Sequence, residues 1–145
     1  EFHIVGWVDE LYKKSITHKQ LQTWIDSGLI IFHGFQKDIR PFLIDCYCLI
    51  HPSYHEGTPR AVLEAMSTGR PIITTDAPGC RETIVDNENG FLVPVKSPNE
   101  IAIAIRKLMD SNNLGDIMGY TSRQIALNKY SDIKVVDKMF SMMEI

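Results

Sequence analysis

The chain has 145 residues, room for one domain, with 44% hydrophobic and 23% charged residues, an ordinary globular mix able to form a core. Its formal charge of −3 argues against a basic nucleic-acid footprint, and no apolar run approaches the roughly 18 residues of a membrane span. Three cysteines, an odd number, point to reduced thiols in a cytoplasmic setting and not to a disulfide framework.

The sequence opens on an apolar run, residues 2–6, that ends in Gly6 and suits a strand. It shows neither a polar lead-in nor a signal-peptide pattern, so it is expected to begin inside a domain. Thr17 is placed to cap a helix through Gln20, Leu21, Trp24 and Ile25, stopped by Gly28. Leu29-Ile30-Ile31-Phe32 reads as a short, fully apolar strand leading to His33-Gly34-Phe35. One or two helical turns are expected over residues 41–46, then a buried-type strand over 47–51 closed by Pro52-Ser53. A helix follows Thr58-Pro59 and ends at Gly69; Pro71-Ile72-Ile73-Thr74-Thr75 is the next strand. Residues 79–86 form a loop with a short helix, and Asn89-Gly90 turns into the strand Phe91-Leu92-Val93-Pro94. Ser97-Pro98-Asn99-Glu100 is a capping-box sequence with Pro at the first helical position, opening a helix that runs to about Asp110. Two amphipathic stretches, residues 113–129 and 131–143, complete the chain.

Short apolar strands alternating with helices predict an α/β fold, a Rossmann-like parallel sheet with helices on both faces. Ligands of such sheets sit beyond the carboxyl ends of the strands. The richest segment of that kind is residues 51–66, which follows one strand and enters a helix. With Thr58 as N-cap and Pro59 first in the helix, the free amides of Arg60 and Ala61 and the helix dipole would make an anion site, with the Arg60 charge nearby. Glu56 precedes that helix start; Glu64 lies inside it on the Arg60 face and could accept hydrogen bonds from paired hydroxyls such as a ribose diol. The same spacing also fits an exposed Arg60–Glu64 ion pair of little energy and a solvated loop acid.

The stretch Pro-Ser-Tyr-His-Glu-Gly-Thr-Pro-Arg-Ala-Val-Leu-Glu-Ala-Met, with Glu56 and Glu64 separated by seven residues, resembles the C-terminal domain of the group 1 (family 4 type) retaining glycosyltransferases. The resemblance continues through Thr68-Gly69-Arg70-Pro71-Ile72-Ile73-Thr74-Thr75-Asp76, Pro78-Gly79-Cys80-Arg81-Glu82 and Asn89-Gly90-Phe91-Leu92-Val93-Pro94. Upstream, Leu21-Gln22-Thr23-Trp24 and Phe32-His33-Gly34-Phe35 belong to it as well, so it covers roughly residues 4 to 130.

The resemblance implies the GT-B fold, with residues 1–145 as one nucleotide-sugar-binding domain, truncated at its N-terminal end and lacking the acceptor-binding domain. It implies retaining transfer of a sugar from a nucleotide diphosphate, UDP-sugars favoured, to a saccharide or lipid-linked acceptor in cell-surface polysaccharide synthesis, with no metal and no cofactor. Glu56 would stand by the donor sugar as the catalytic carboxylate, either as a nucleophile or, the reading preferred, positioning the sugar and stabilising developing cationic charge. Glu64 would hold the ribose; Gly57, Thr58, Pro59, Arg60 and Ala61 would hold the sugar and diphosphate. His55, beside Glu56, is placed either to touch the sugar or to be a solvated loop residue, and Phe35 would lie near the base. Pro59 would withdraw one amide from the phosphate. The fragment by itself would not catalyse transfer, and the full enzyme would be cytoplasmic, working at the inner membrane face. A non-catalytic nucleotide-binding or scaffold module and a sugar-nucleotide epimerase remain open on the same residues.

Cys46, Cys48, His51 and His55 form a Cys-x-Cys-x2-His-x3-His string, but the cysteine spacing is short for zinc and small core cysteines on a buried strand are the expectation. His51 is expected to pack against backbone, and Cys80 to be a structural thiol. None of the nine glycines forms the Gly-x-Gly-x-x-Gly turn of a dinucleotide site. Val136, Met139, Phe140 and Met143 form an apolar stripe that is expected to favour self-association if left unpartnered.

Overall fold

The computed structural model describes residues 1–12 and 15–143. Among these, strands alternate with helices, every strand pairing is parallel, and the chain forms two compact units, Glu1–Ile39 and Arg40–Ile145. No helix of the described residues is long and apolar enough to cross a membrane.

In the first unit, β1 (His3–Ile4) pairs with β2 (Ile31–Phe32), His3 opposite Ile31 and Ile4 opposite Phe32. Between them lies α1 (His18–Asp26), opened by the expected Thr17 cap. Thr17 Oγ1 accepts from the Gln20 amide at 3.2 Å, and Gln20 Oε1 accepts from the Thr17 amide at 2.9 Å, a reciprocal capping box. The run from Leu29 to Phe32 departs from expectation. Only two of its residues are strand, and Leu29 and Ile31 are exposed. Within this unit β2 has one strand neighbour, and Leu21 is the sole buried residue among those described, so an apolar run has little to pack on.

The second unit carries the three-stranded sheet β3-β4-β5, from β3 (Leu49–His51), β4 (Ile72–Thr75) and β5 (Gly90–Val93). Around it are α2 (Arg40–Asp45), α3 (Arg60–Ser67), a single 3-10 turn (Arg81–Thr83), α4 (Pro98–Met109), α5 (Leu114–Lys129) and α6 (Asp132–Met142). The central strand β4 is buried along its whole length, which accounts for four consecutive β-branched residues without alternation. Ile73, Phe91 and Val93 pack with Ala104 and Leu108 of α4 and Met118 of α5 in one core cluster.

Two polar devices hold this sheet. Gly90 must lack a side chain, because a Cβ there would enter the Ile72 carbonyl across the β4–β5 pair. The buried Asn89 accepts from the Val85 amide through Oδ1 at 2.7 Å, and Ser122 Oγ donates to its carbonyl at 3.1 Å. The Asn89-Gly90 pair thus fixes where β5 begins.

Two local expectations are corrected, the α4 cap and the placement of the cysteines. Helix α4 starts at Pro98 after Ser97, but no capping box forms. The Glu100 amide donates to the Ser97 carbonyl at 3.1 Å, so it is not free for the hydroxyl, and Ser97 Oγ donates to Val95 O instead. Cys46 and Cys48 lie between α2 and β3, not on the strand, and are half-buried. Cys48 still packs against the core cluster. The α6 stripe of Val136, Met139, Phe140 and Met143 is exposed.

Candidate functional site

The segment between β3 and α3 is fixed mainly by β4. Thr74 Oγ1 donates to the His51 carbonyl at 2.7 Å, and Thr75 Oγ1 donates to the Ser53 carbonyl. These are the buried threonines of the central strand, so their hydroxyls find acceptors where the neighbouring strand leaves the sheet. The Glu56 amide then donates to Pro78 O at 3.0 Å. Gly79, at φ +84°, follows in the turn after β4. A Cβ on it would enter the Glu56 and Gly57 carbonyl oxygens, so the two loops lie backbone against backbone at this point.

That frame brings His51, Ser53 and Glu56 together. Ser53 Oγ donates to Glu56 Oε1 at 2.9 Å. His51 Nε2 lies 3.4 Å from the same oxygen, at ion-pair distance but without hydrogen-bond geometry, and this ring nitrogen is buried with no other partner among the described residues. Among the described residues Glu56 Oε2 accepts no hydrogen bond. His51 was expected to bond to backbone; its ring nitrogen instead approaches the acid. Neither His51 nor Ser53 was singled out in the sequence as a partner of Glu56. The signal available was a serine three residues before an acid in a turn.

Helix α3 begins one residue later than expected. Pro59, buried and extended at φ −69° and ψ 113°, is the N-cap, and Arg60 is the first helical residue. Thr58 is exposed and provides no cap bond. The reason lies in the backbone, since the Pro59 carbonyl accepts from the Val62 and Leu63 amides at 3.0 and 3.2 Å. Pro59 therefore withdraws no amide from the helix proper. The Arg60 and Ala61 amides have no acceptor among the described residues and remain the free donors of the first turn.

Arg60 Nε donates to Glu64 Oε1 at 3.0 Å, one turn along the helix. The Arg60 side chain is 91% exposed and that of Glu64 34%. Gly57 and His55 are exposed, and Phe35, in the first unit, is exposed and meets Trp7 edge-on with ring centroids 5.6 Å apart. At the carboxyl ends of β3, β4 and β5, Pro52, Tyr54, Thr75, Lys96, Ser97 and Ile101 line a cleft of about 380 Å³, with Lys96 Nζ 6.0 Å from the Tyr54 ring. Sequence spacing alone did not bring Lys96 into this region.

The cysteine-histidine string does not converge. Among the described residues no group of three His, Cys, Asp or Glu could hold a metal ion. Burial pushes the Cys48 thiol up to about 11, with Cys46 adding to the shift, and burial likewise raises Cys46. Both behave as neutral thiols.

The fold matches solved structures. It superposes at a TM-score of 0.88 and 22% identity on the crystal structure of Anabaena Alr3699/HepE in complex with UDP, over 98% of this chain and 40% of that one. The C-terminal domain of the glycosyl transferase group 1 family protein LpcC from Francisella tularensis matches at 31% identity and a TM-score of 0.69, over 79% of this chain and 62% of that one. A UDP-Gal:alpha-D-GlcNAc-diphosphoundecaprenol alpha-1,3-galactosyltransferase of Escherichia coli is 32% identical over 111 residues, 76% of this chain. The chain spans 28% of that relative's length. Residues 1–111 match the family described as Glycosyl transferases group 1. With the parallel α/β architecture and this agreement in sequence, the chain belongs to the group 1 glycosyltransferases, as a C-terminal domain of the GT-B fold.

Proposed function

We propose that these residues bind the nucleotide-diphosphate sugar, a UDP-sugar by preference, of a retaining glycosyltransferase. The observation that carries the reading is the opening of α3, where two free amides, Arg60 N and Ala61 N, stand between two acids that each have one oxygen held and one unheld. Amides at a helix start and the Arg60 guanidinium suit the diphosphate. The free oxygen of Glu64 suits the ribose diol, and Glu56 suits the donor sugar together with His55, Gly57 and Thr58.

In transfer, the bond between the anomeric carbon and the diphosphate oxygen breaks, and the acceptor oxygen bonds to that carbon on the same face. The acceptor's proton passes to the departing phosphate. Cationic charge grows at the sugar as the diphosphate leaves, and the Glu56 carboxylate stabilises it while the helix amides stabilise the leaving anion. The acceptor of the whole protein is a saccharide or lipid-linked sugar at the cytoplasmic membrane face. The 145 residues by themselves bind the donor without transferring it. UDP bound to a neighbour of the same fold, and the UDP-Gal and diphosphoundecaprenol of a relative's name, support this reading.

A thermal-shift panel of nucleotides tests it. UDP and UDP-hexoses raise the Tm above ADP, GDP and CMP. Equal shifts for all nucleotides, or none, reject it.

A further inference from the structure

We propose that Ser53 and His51 are positioning residues for Glu56. They hold the Oε1 edge of its carboxylate so that Oε2 is left for the donor sugar, an inference that rests on the reading of Glu56 as the acid beside that sugar.

Both holders have their backbone tied to the central strand, His51 through Thr74 Oγ1 at 2.7 Å and Ser53 through Thr75 Oγ1. Glu56 itself is tied through its amide to Pro78 O at 3.0 Å. A loop acid whose side chain is 36% exposed would otherwise sample several rotamers. Ser53 Oγ restricts it, donating to Oε1 at 2.9 Å in preference to the 3.4 Å contact with the His55 carbonyl. His51 stands behind the same oxygen. Its Nε2 is shut off from water, lacks a hydrogen bond, and lies 3.4 Å from Oε1.

A buried ring nitrogen without a partner is costly. A small rotation of the carboxylate about the Ser53 bond would give the Nε2–H tautomer an acceptor. Two donors converging on one oxygen fix the plane of the carboxylate, as outer-shell partners fix a ligand. Nothing in the described chain bonds to Oε2.

Calorimetric titration of the chain with UDP and with UDP-glucose tests this, reading the ratio of the two association constants. Ser53→Ala lowers that ratio about 5- to 10-fold with UDP binding unchanged, and Ser53→Thr restores it. His51→Leu lowers it by about 3-fold, and His51→Gln recovers part. Glu56→Gln lowers it at least as far as Ser53→Ala, and adding Ser53→Ala to Glu56→Gln changes nothing more. If Ser53→Ala does not fold, the His51 pair and Ser53→Thr carry the test. A ratio kept by Ser53→Ala and His51→Leu but lost in Glu56→Gln overturns the positioning role and leaves the donor reading standing. Equal losses for UDP and UDP-glucose also overturn it, since that is loop disruption. A ratio unmoved by Glu56→Gln overturns both.

Discussion

Arg60 and Glu64 are bonded across one helical turn, Arg60 Nε to Glu64 Oε1 at 3.0 Å, with the guanidinium almost entirely in solvent. As a contribution to folding this pair is worth little, because an exposed i,i+4 ion pair contributes a few tenths of a kcal/mol. Arg60→Ala is therefore expected to change unfolding free energy by no more than about 0.5 kcal/mol. On the proposed reading, the pair serves the ligand. Glu64→Ala should weaken UDP about 10- to 30-fold, the loss of hydrogen bonds to a charged acceptor. The specific readout is 2′-deoxy-UDP: the wild type should prefer UDP over it, and Glu64→Ala should bind the two equally. A variant that still discriminates would move the ribose away from Glu64.

Gly79 offers a test of the frame independent of any ligand. It combines φ +84° with a contact in which a Cβ would enter the Glu56 and Gly57 carbonyls. Those are backbone atoms and cannot rotate aside. Gly79→Ala should cost at least about 2 kcal/mol in urea denaturation, more than the left-handed strain alone. If the variant folds, it should lose UDP-glucose binding through the displaced loop. A change under about 0.5 kcal/mol would show that the turn after β4 does not support the Glu56 loop.

The parts of this fold that were legible in the sequence share a local cause. β4 was readable because four β-branched residues in a row suit a strand covered on both faces, and Gly69 with its φ of +72° was readable as a helix stop. The Glu56 and Glu64 pair was readable because its spacing is carried by one loop and one helix. The misread features depend on distant partners. β2 looked buried from composition, but burial needs a second layer, and its unit offers one buried side chain among the described residues. His51 looked like a backbone-bonded residue because its contact with Glu56 exists only after Thr74 and Thr75 pin the loop. Thr58 and Pro59 differ by a single position, a distinction set by where the Pro59 carbonyl finds its amides.

Two helix starts of similar sequence separate in the same way and make a paired prediction. Thr17 makes both bonds of its capping box, whereas Ser97 makes no cap bond because its carbonyl already takes the Glu100 amide. Thr17→Ala should destabilise α1 by about 1 kcal/mol. Ser97→Ala should be neutral within about 0.3 kcal/mol, below the usual loss of an N-cap. Amide hydrogen exchange resolves the two, since protection in residues 20–24 should fall in the first variant and protection in residues 100–104 should hold in the second. Equal effects would mean that Ser97 caps α4 in solution after all.

Burial of Cys48 makes stability fall in alkali. Its thiol is pushed from 9.0 to about 11, first by desolvation and then by Cys46. Between those values the unfolded chain has released the proton and the folded chain keeps it, so the folded state binds more protons and stability declines as pH rises. The contribution is fully present below about pH 9 and gone above about pH 11, amounting to about 2 to 3 kcal/mol. Lysines and tyrosines titrate in the same range, so the measurement is a difference. Urea unfolding of wild type and Cys48→Ala at pH 8 and pH 10.5 should show the wild type losing more stability than the variant over the interval. In parallel, Cys48 should react with a thiol reagent at pH 8 far more slowly than a free thiol, because its thiolate fraction is small. If the two proteins lose stability equally, or if Cys48 reacts rapidly in the folded chain, the thiol is not held neutral by the core it packs against.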